Sequence, residues 1–166
     1  MLRAVLDTSI LVSAFLRQSG INAKILHGGK DLYHLYLSEE ILEETTRVLF
    51  TYDRIRKKYH YSDEEAREYV ENLIITATEV VTKVPRIGVV KEDPKDDHVL
   101  ACGLKSTADY IVSKDNHLQD LEEYQGIKIV SSQKFWEILR RRKIGTRLSD
   151  LCGKKLPRDS SYAEKW

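Results

Sequence analysis

The sequence predicts an α/β protein, and three observations carry that prediction. Short apolar runs recur along the chain, each ending on polar residues: Leu2 to Leu6 stops at Asp7, Tyr110 to Val112 stops at Ser113, and Ile127 to Val130 stops at Ser131. Such runs read as buried strands. Between them lie stretches with apolar residues three and four apart, the helical period. Strands alternating with helices pair in parallel and pack as an α/β sandwich. The 166 residues make one ordinary domain with room for a core, and neither repeat nor low-complexity linker divides them.

The first strand is expected over Leu2–Leu6, with Asp7 at its carboxyl end. Thr8 or Ser9 is expected to cap the following helix, which carries Ile10, Leu11, Ala14 and Phe15. In open parallel sheets, ligands bind at that edge. The plain alternative is that Asp7 only caps the helix.

Ser19-Gly20 breaks the chain, and a short helix over Ile21–His27 stops at Gly28-Gly29. Leu32 to Leu37, rich in aromatics, is a second strand. Ser38 caps a helix reaching about Phe50, with Glu39 and Glu40 near its positive end. A basic helix covers Asp53–Tyr59. Ser62-Asp63-Glu64-Glu65 is a capping-box pattern, followed by a stripe of Ala66, Tyr69, Val70, Leu73 and Ile74. Glu79 to Val84 is a short strand ended by Pro85. Asp93-Pro94 starts a helix to about Lys105, Tyr110–Val112 and Ile127–Val130 are strands, and Ser131 or Ser132 caps a last helix with Phe135, Ile138 and Leu139 on one face.

Composition narrows the function. No apolar run approaches the roughly 20 residues of a membrane span, and the amino-terminal run is too short for a signal peptide. Cys102 and Cys152 stand alone, which suits reduced thiols in a cytoplasmic protein. From Arg140 to Trp166 there are nine Lys or Arg against three Asp or Glu, a net of +6 that leaves −5 on the rest of a chain totalling +1. An acidic body with a basic tail suggests a cation-binding centre and an anionic partner. A solvated helix end with a frayed terminus has the same signature.

Helical geometry selects acids that can join Asp7 and Asp115 at the strand exits. Glu44 falls in line with Ile41 and Val48 at the edge of the core stripe, whereas Glu43 falls with Glu39, Glu40 and Arg47 on the wet face. Asp97 falls in line with Leu100, Ala101 and Leu104. Asp96, between Val99, Leu100 and Gly103, is the weaker candidate.

Four segments together resemble PIN-domain nucleases. Asp7-Thr8-Ser9-Ile10-Leu11-Val12-Ser13-Ala14 is similar to their opening motif and Leu37-Ser38-Glu39-Glu40-Ile41-Leu42-Glu43-Glu44 to their second. Asp93-Pro94-Lys95-Asp96-Asp97-His98-Val99-Leu100-Ala101 is similar to the third, and Ala108-Asp109-Tyr110-Ile111-Val112-Ser113-Lys114-Asp115 to the fourth. The spacing is similar to that of VapC-like toxins of prokaryotic toxin–antitoxin pairs. The resemblance spans residue 1 to about 140. It implies a three-layer α/β/α sandwich with a central parallel sheet of four to five strands. It also implies cleavage of single-stranded RNA with Mg²⁺ or Mn²⁺ on a carboxylate quartet, leaving 5′-phosphate and 3′-hydroxyl ends. Carried over, the quartet is Asp7, Glu44, Asp97 and Asp115, and the resemblance selects Asp97 over Asp96. Thr8, Ser9, Ser113 and Asn116 are expected to orient the acids. Ser9 stands where the family usually has Asn.

Residues 1–143 are thus expected to form the nuclease domain and 144–166 a basic tail that the resemblance does not explain. Arg140, Arg141, Arg142, Lys143, Lys154 and Lys155 are expected to bind RNA. An antitoxin protein is the expected partner and a homodimer the expected assembly. Rival chemistries fit poorly. Asp7 has no second Asp two residues on, as a phosphoaspartate phosphatase would, and there is no P-loop or dinucleotide glycine fingerprint. The five His are scattered, and Ser9 and Ser13 lack a base partner for a triad. The rival from another class is a non-catalytic PIN-like module that binds RNA or a protein.

Overall fold

The computed structural model describes residues 1–29, 31–85, 87–88 and 97–152, the last eight as backbone only. Among them, strands β1 (Leu2–Leu6), β2 (Tyr33–Ser38), β3 (Glu79–Val81), β4 (Tyr110–Val112), β5 (Glu123–Tyr124) and β6 (Ile127–Val130) form one sheet in the order β3-β2-β1-β4-β6-β5. Five of these strands run parallel, as expected. The sixth, β5, is a two-residue strand lying antiparallel on β6 at the edge. Its hairpin turns through Gln125 and Gly126, both at positive φ, the backbone that a tight two-residue loop requires.

The helices are α1 (Thr8–Leu16), α2 (Ile21–Gly28), α3 (Glu39–Thr51), α4 (Asp53–Tyr59), α5 (Asp63–Thr76), α6 (Asp97–Lys105), α7 (Asn116–Asp120) and α8 (Ser132–Cys152). They lie on both sides of the sheet. Neighbouring residues of a strand face opposite ways. Ile111 of β4 meets α6, where a Cβ on Gly103 would come within 2.9 Å of Ile111 Cδ1. Tyr110, on the other face, meets Phe135 of α8 at a ring-centroid distance of 5.7 Å, and Phe135 also stands edge-on to Tyr33 at 5.3 Å. Phe135 is fully buried. Burying a side chain of that size stabilises by roughly 1.5–3 kcal/mol, which anchors α8 to the sheet. The expected boundary after Lys143 falls within α8, which continues to Cys152.

A second, smaller core fixes α3 beside α1. Val12, Leu49 and Ala66 are its buried members, with Phe15 edge-on to Tyr61 and tilted against Tyr69, its ring centre 4.9 Å from each. The Tyr69 hydroxyl donates to Leu11 O at 2.7 Å and ties α5 to α1. The capping box at Ser62 forms as expected, each partner bonding the other's backbone.

Several expectations need correction. Asp7, not Thr8 or Ser9, occupies the N-cap position of α1, and its carboxylate makes no capping bond. β3 ends at Val81 instead of Val84. Ile74 is half exposed, turned from the stripe that buries Ala66 and Leu73. Asp93 to Asp96, including the expected Asp93-Pro94 helix start, lie outside the described residues, as do Lys154 and Lys155. No helix among the described residues is long and apolar enough to cross a membrane.

Candidate active site

β1 and β4 are adjacent parallel strands in register, Leu6 opposite Val112. The chain builds outward from β1 through β2 and β3, then returns to the other side at β4. Strand order therefore reverses between β1 and β4, and their carboxyl ends frame the crevice where ligands bind in such sheets. Asp7 leaves β1 at this point, its N–H bonded to Val112 O at 3.0 Å.

Two serines fix the Asp7 carboxylate, which is 6% exposed. Ser9 Oγ and Ser113 Oγ each donate to Asp7 Oδ2 at 2.7 Å. The hydroxyls are themselves held by the chain leaving β4: Ser9 Oγ accepts from Lys114 N at 3.2 Å and Ser113 Oγ from Asp115 N at 3.0 Å. Ser9 thus bridges the Asp7 carboxylate and the backbone of Lys114. Asp115 caps α7, its Oδ1 accepting from His117 N at 2.7 Å. Asn116, exposed, is the first residue of α7.

α3 brings Glu44 to the same place. The helical register is as expected: Ile41 is buried, Glu44 half-buried and Glu43 exposed. Glu44 Oε1 accepts from Arg47 Nη2 at 3.2 Å. Its Oε2 lies 3.4 Å from His98 Nε2 and 3.5 Å from Thr8 Oγ1. A cleft of about 440 Å³ is lined by Asp7, Thr8, Ser9, Glu44 and Asp115. Asp97 lies instead in a neighbouring recess with Glu40 and His98, and His98 touches Glu44 from that side. Glu40 is half-buried there, not on the wet face, and shares the recess with Val84, Pro85, Ile87 and Gly88.

The cleft also holds residues that the sequence did not single out. Arg17, Arg47 and Lys114 line it, with Tyr52 and Tyr59. The Arg47 guanidinium stands 5.7 Å from the Tyr52 ring centre. Its pKa is raised, first by the hydrogen bond with Tyr52 and less by Glu44. The Tyr59 hydroxyl is made more acidic, first by its hydrogen bond with Arg17. The signals were present in outline: Arg47 follows Glu44 by one helical turn, and Lys114 precedes Asp115 within the fourth motif. Arg140, Arg141, Arg142 and Lys143 are exposed on α8 and do not line the cleft. At ~1.5 Å per residue they stand about 12–17 Å along the helix from its start.

Among the described residues, no three His, Cys, Asp or Glu side chains stand close enough to hold one ion. The donor chemistry of the cleft nevertheless suits a hard divalent cation, since it offers carboxylate and hydroxyl oxygens. Asp7 is a buried carboxylate whose two described side-chain donors are neutral hydroxyls.

The sequence model of the PIN domain matches residues 3–117. The chain belongs to the PIN-domain family. A chain of VapBC2 from Rickettsia felis, in its crystal structure bound to a DNA fragment from their promoter, superposes with a TM-score of 0.57. The two are 11% identical, and the match covers 78% of this chain and 98% of that one. At that identity the likeness is one of fold. No curated protein matches the sequence. Asp7, Glu44 and Asp115 of this PIN domain line one cleft from three separate segments.

Proposed function

We propose that this PIN domain is a metal-dependent endoribonuclease that hydrolyses single-stranded RNA, and that it serves as the toxin of a toxin–antitoxin pair. The observation that carries the proposal is one cleft lined by Asp7, Glu44 and Asp115, from two strand exits and a helix. The carboxylate and hydroxyl oxygens of the cleft are the ligands that a hard divalent cation takes. Mg²⁺ or Mn²⁺, bound here, would activate a water and offset charge on the scissile phosphate. Asp7 is the central ligand, and its bonds to Ser9 and Ser113 through Oδ2 leave Oδ1 for the ion. Glu44, Asp115 and Asp97 complete the set, directly or through water, with Thr8 and Asn116 supporting them. Arg140 to Lys143, with Lys154 and Lys155, are assigned to the RNA backbone away from the reacting bond.

The toxin role rests on the resemblance to VapC-like proteins and on the fold shared with a chain of a VapBC2 complex. On this reading the partners are an antitoxin protein and a second copy of the chain, in the cytoplasm. Residues 1–143 carry the nuclease, and 144–166 are a basic extension. One observation favours a second reading. Arg47 and His98 both engage Glu44, as they could in a non-catalytic module that binds RNA or protein.

The test is incubation of purified protein with single-stranded RNA under Mg²⁺, Mn²⁺ or chelator. Cleavage that requires the metal and leaves 5′-phosphate ends supports the nuclease. Binding without cleavage under every metal supports the second reading.

A further inference from the structure

The cleft continues past Ser113 into a second recess of about 410 Å³. The recess lies between the turn from α1 to α2, the exit of β4 and the first turn of α8, and it shares Ser13, Arg17 and Lys114 with the acidic cleft. Its character is opposite, for no Asp or Glu lines it. α2 begins here on Gly20, which has no side chain to cap the first N–H groups. Uncapped N–H groups at a helix start favour an anion.

Helix ends alone do not make a site, but two side chains add a separate observation. Asn22 and Ser132 line the recess at 5% and 3% exposure. Asn22 Oδ1 and Ser132 Oγ are buried and find no hydrogen-bond partner. Buried polar atoms are nearly always paired in native proteins, and an unpaired one calls for a missing partner. The two kinds of group ask for different things. Arg17, Lys114 and the N–H groups of α2 donate, so they suit the oxygens of a phosphate. Asn22 Oδ1 accepts, so it needs a donor, which a phosphodiester lacks. A ribose hydroxyl supplies one, and the 2′-hydroxyl is what distinguishes RNA from DNA at a site.

We infer that this recess is a ribonucleotide subsite next to the reacting bond. Arg17, Lys114 and the start of α2 hold a backbone phosphate, while Asn22 Oδ1 takes a sugar hydroxyl and Ser132 Oγ, also on the recess wall, offers a second polar contact. The inference rests on the nuclease reading and adds to it a place where RNA is told from DNA.

The test measures the affinity of labelled single-stranded RNA, and of DNA of matching sequence, for the Asp7→Asn protein across a salt series. Asn22→Ala in that background is expected to weaken RNA by roughly three- to tenfold, one neutral hydrogen bond, and to leave DNA unchanged. Ser132→Ala, a smaller change, is expected to shift the RNA-to-DNA ratio in the same direction and guards against misfolding of the Asn22 variant. Lys114→Gln, at an exposed position, is expected to weaken both strands and flatten the log–log salt slope by roughly 0.7. An RNA-to-DNA ratio unchanged by both Asn22→Ala and Ser132→Ala, or binding indifferent to Lys114→Gln, overturns the subsite. These results leave the nuclease reading intact if the wild-type protein cleaves. Failure of the parent protein to bind RNA, with no wild-type cleavage, removes the nuclease reading itself.

Discussion

Ser113 Oγ donates to Asp7 Oδ2 at 2.7 Å, joining residues 106 positions apart at the ends of β1 and β4. Ser113 is fully buried and also accepts the Asp115 N–H. One hydroxyl thus fixes both the first acid and the segment carrying the last. Ser113→Ala is expected to keep the fold and to lower the cleavage rate or metal affinity by about 10–100-fold, the usual effect of losing a partner behind a metal ligand. A metal titration of the cleavage rate, with circular dichroism as control, checks this. A variant with unchanged metal dependence would detach Ser113 from the site.

Glu44 and Glu43 are neighbours in sequence with opposite surroundings, half-buried in the cleft and exposed. Glu44→Gln is expected to lose Mn²⁺-dependent cleavage, and Glu43→Gln to stay near wild type. Asp97→Asn should likewise exceed Asp96→Asn in effect. A dead Glu43→Gln beside an active Glu44→Gln would refute the assignment of Glu44.

The part of the basic extension beyond Cys152, where α8 ends, can be removed without cutting the helix. Truncation after Cys152 is expected to weaken RNA binding by the Asp7→Asn protein and to flatten its salt slope by roughly 0.7 per lost phosphate contact. An unchanged affinity and slope would mean that Lys154 and Lys155 do not touch RNA.

Cys102 is buried in α6, and burial, with a smaller contribution from Glu40, pushes its thiol pKa up from 9.0 to about 12. The folded state therefore holds this proton more tightly than the unfolded chain. The resulting stability is fully present below pH 9 and is lost as pH rises toward about 12. In a Cys152→Ser background, Cys102 is expected to resist a thiol reagent at pH 8 until denaturant is added. Prompt labelling of the native protein would contradict its burial.

Much of this architecture was legible from local pattern. The apolar runs ending on polar residues marked β1, β4 and β6, and helical spacing separated Glu44 from Glu43. What escaped depends on contacts between distant segments. Asp7 looks like a residue followed by two capping hydroxyls. In the fold, Ser9 turns its hydroxyl to the carboxylate, and Ser113 arrives from another strand to do the same. Glu40 reads as solvent-facing, yet it is half-buried in a recess with Val84, Pro85, Ile87 and Gly88, which are distant in sequence. β5 has only two residues, too few for a period, although Gly126 marks its turn. Asn22 and Ser132 line one recess from two helix starts that no local pattern relates.

On the proposed function, the Asp7 carboxylate, at the exit of β1, would hold the metal ion that RNA cleavage requires. The direct measurement compares wild type with Asp7→Asn, purified free of host nuclease, on single-stranded RNA with Mn²⁺. Wild type is expected to cleave. Asp7→Asn is expected to fall to the metal-free background while keeping the wild-type fold, because an amide oxygen can still accept the hydrogen bonds from Ser9 and Ser113. Full cleavage by Asp7→Asn would contradict the account.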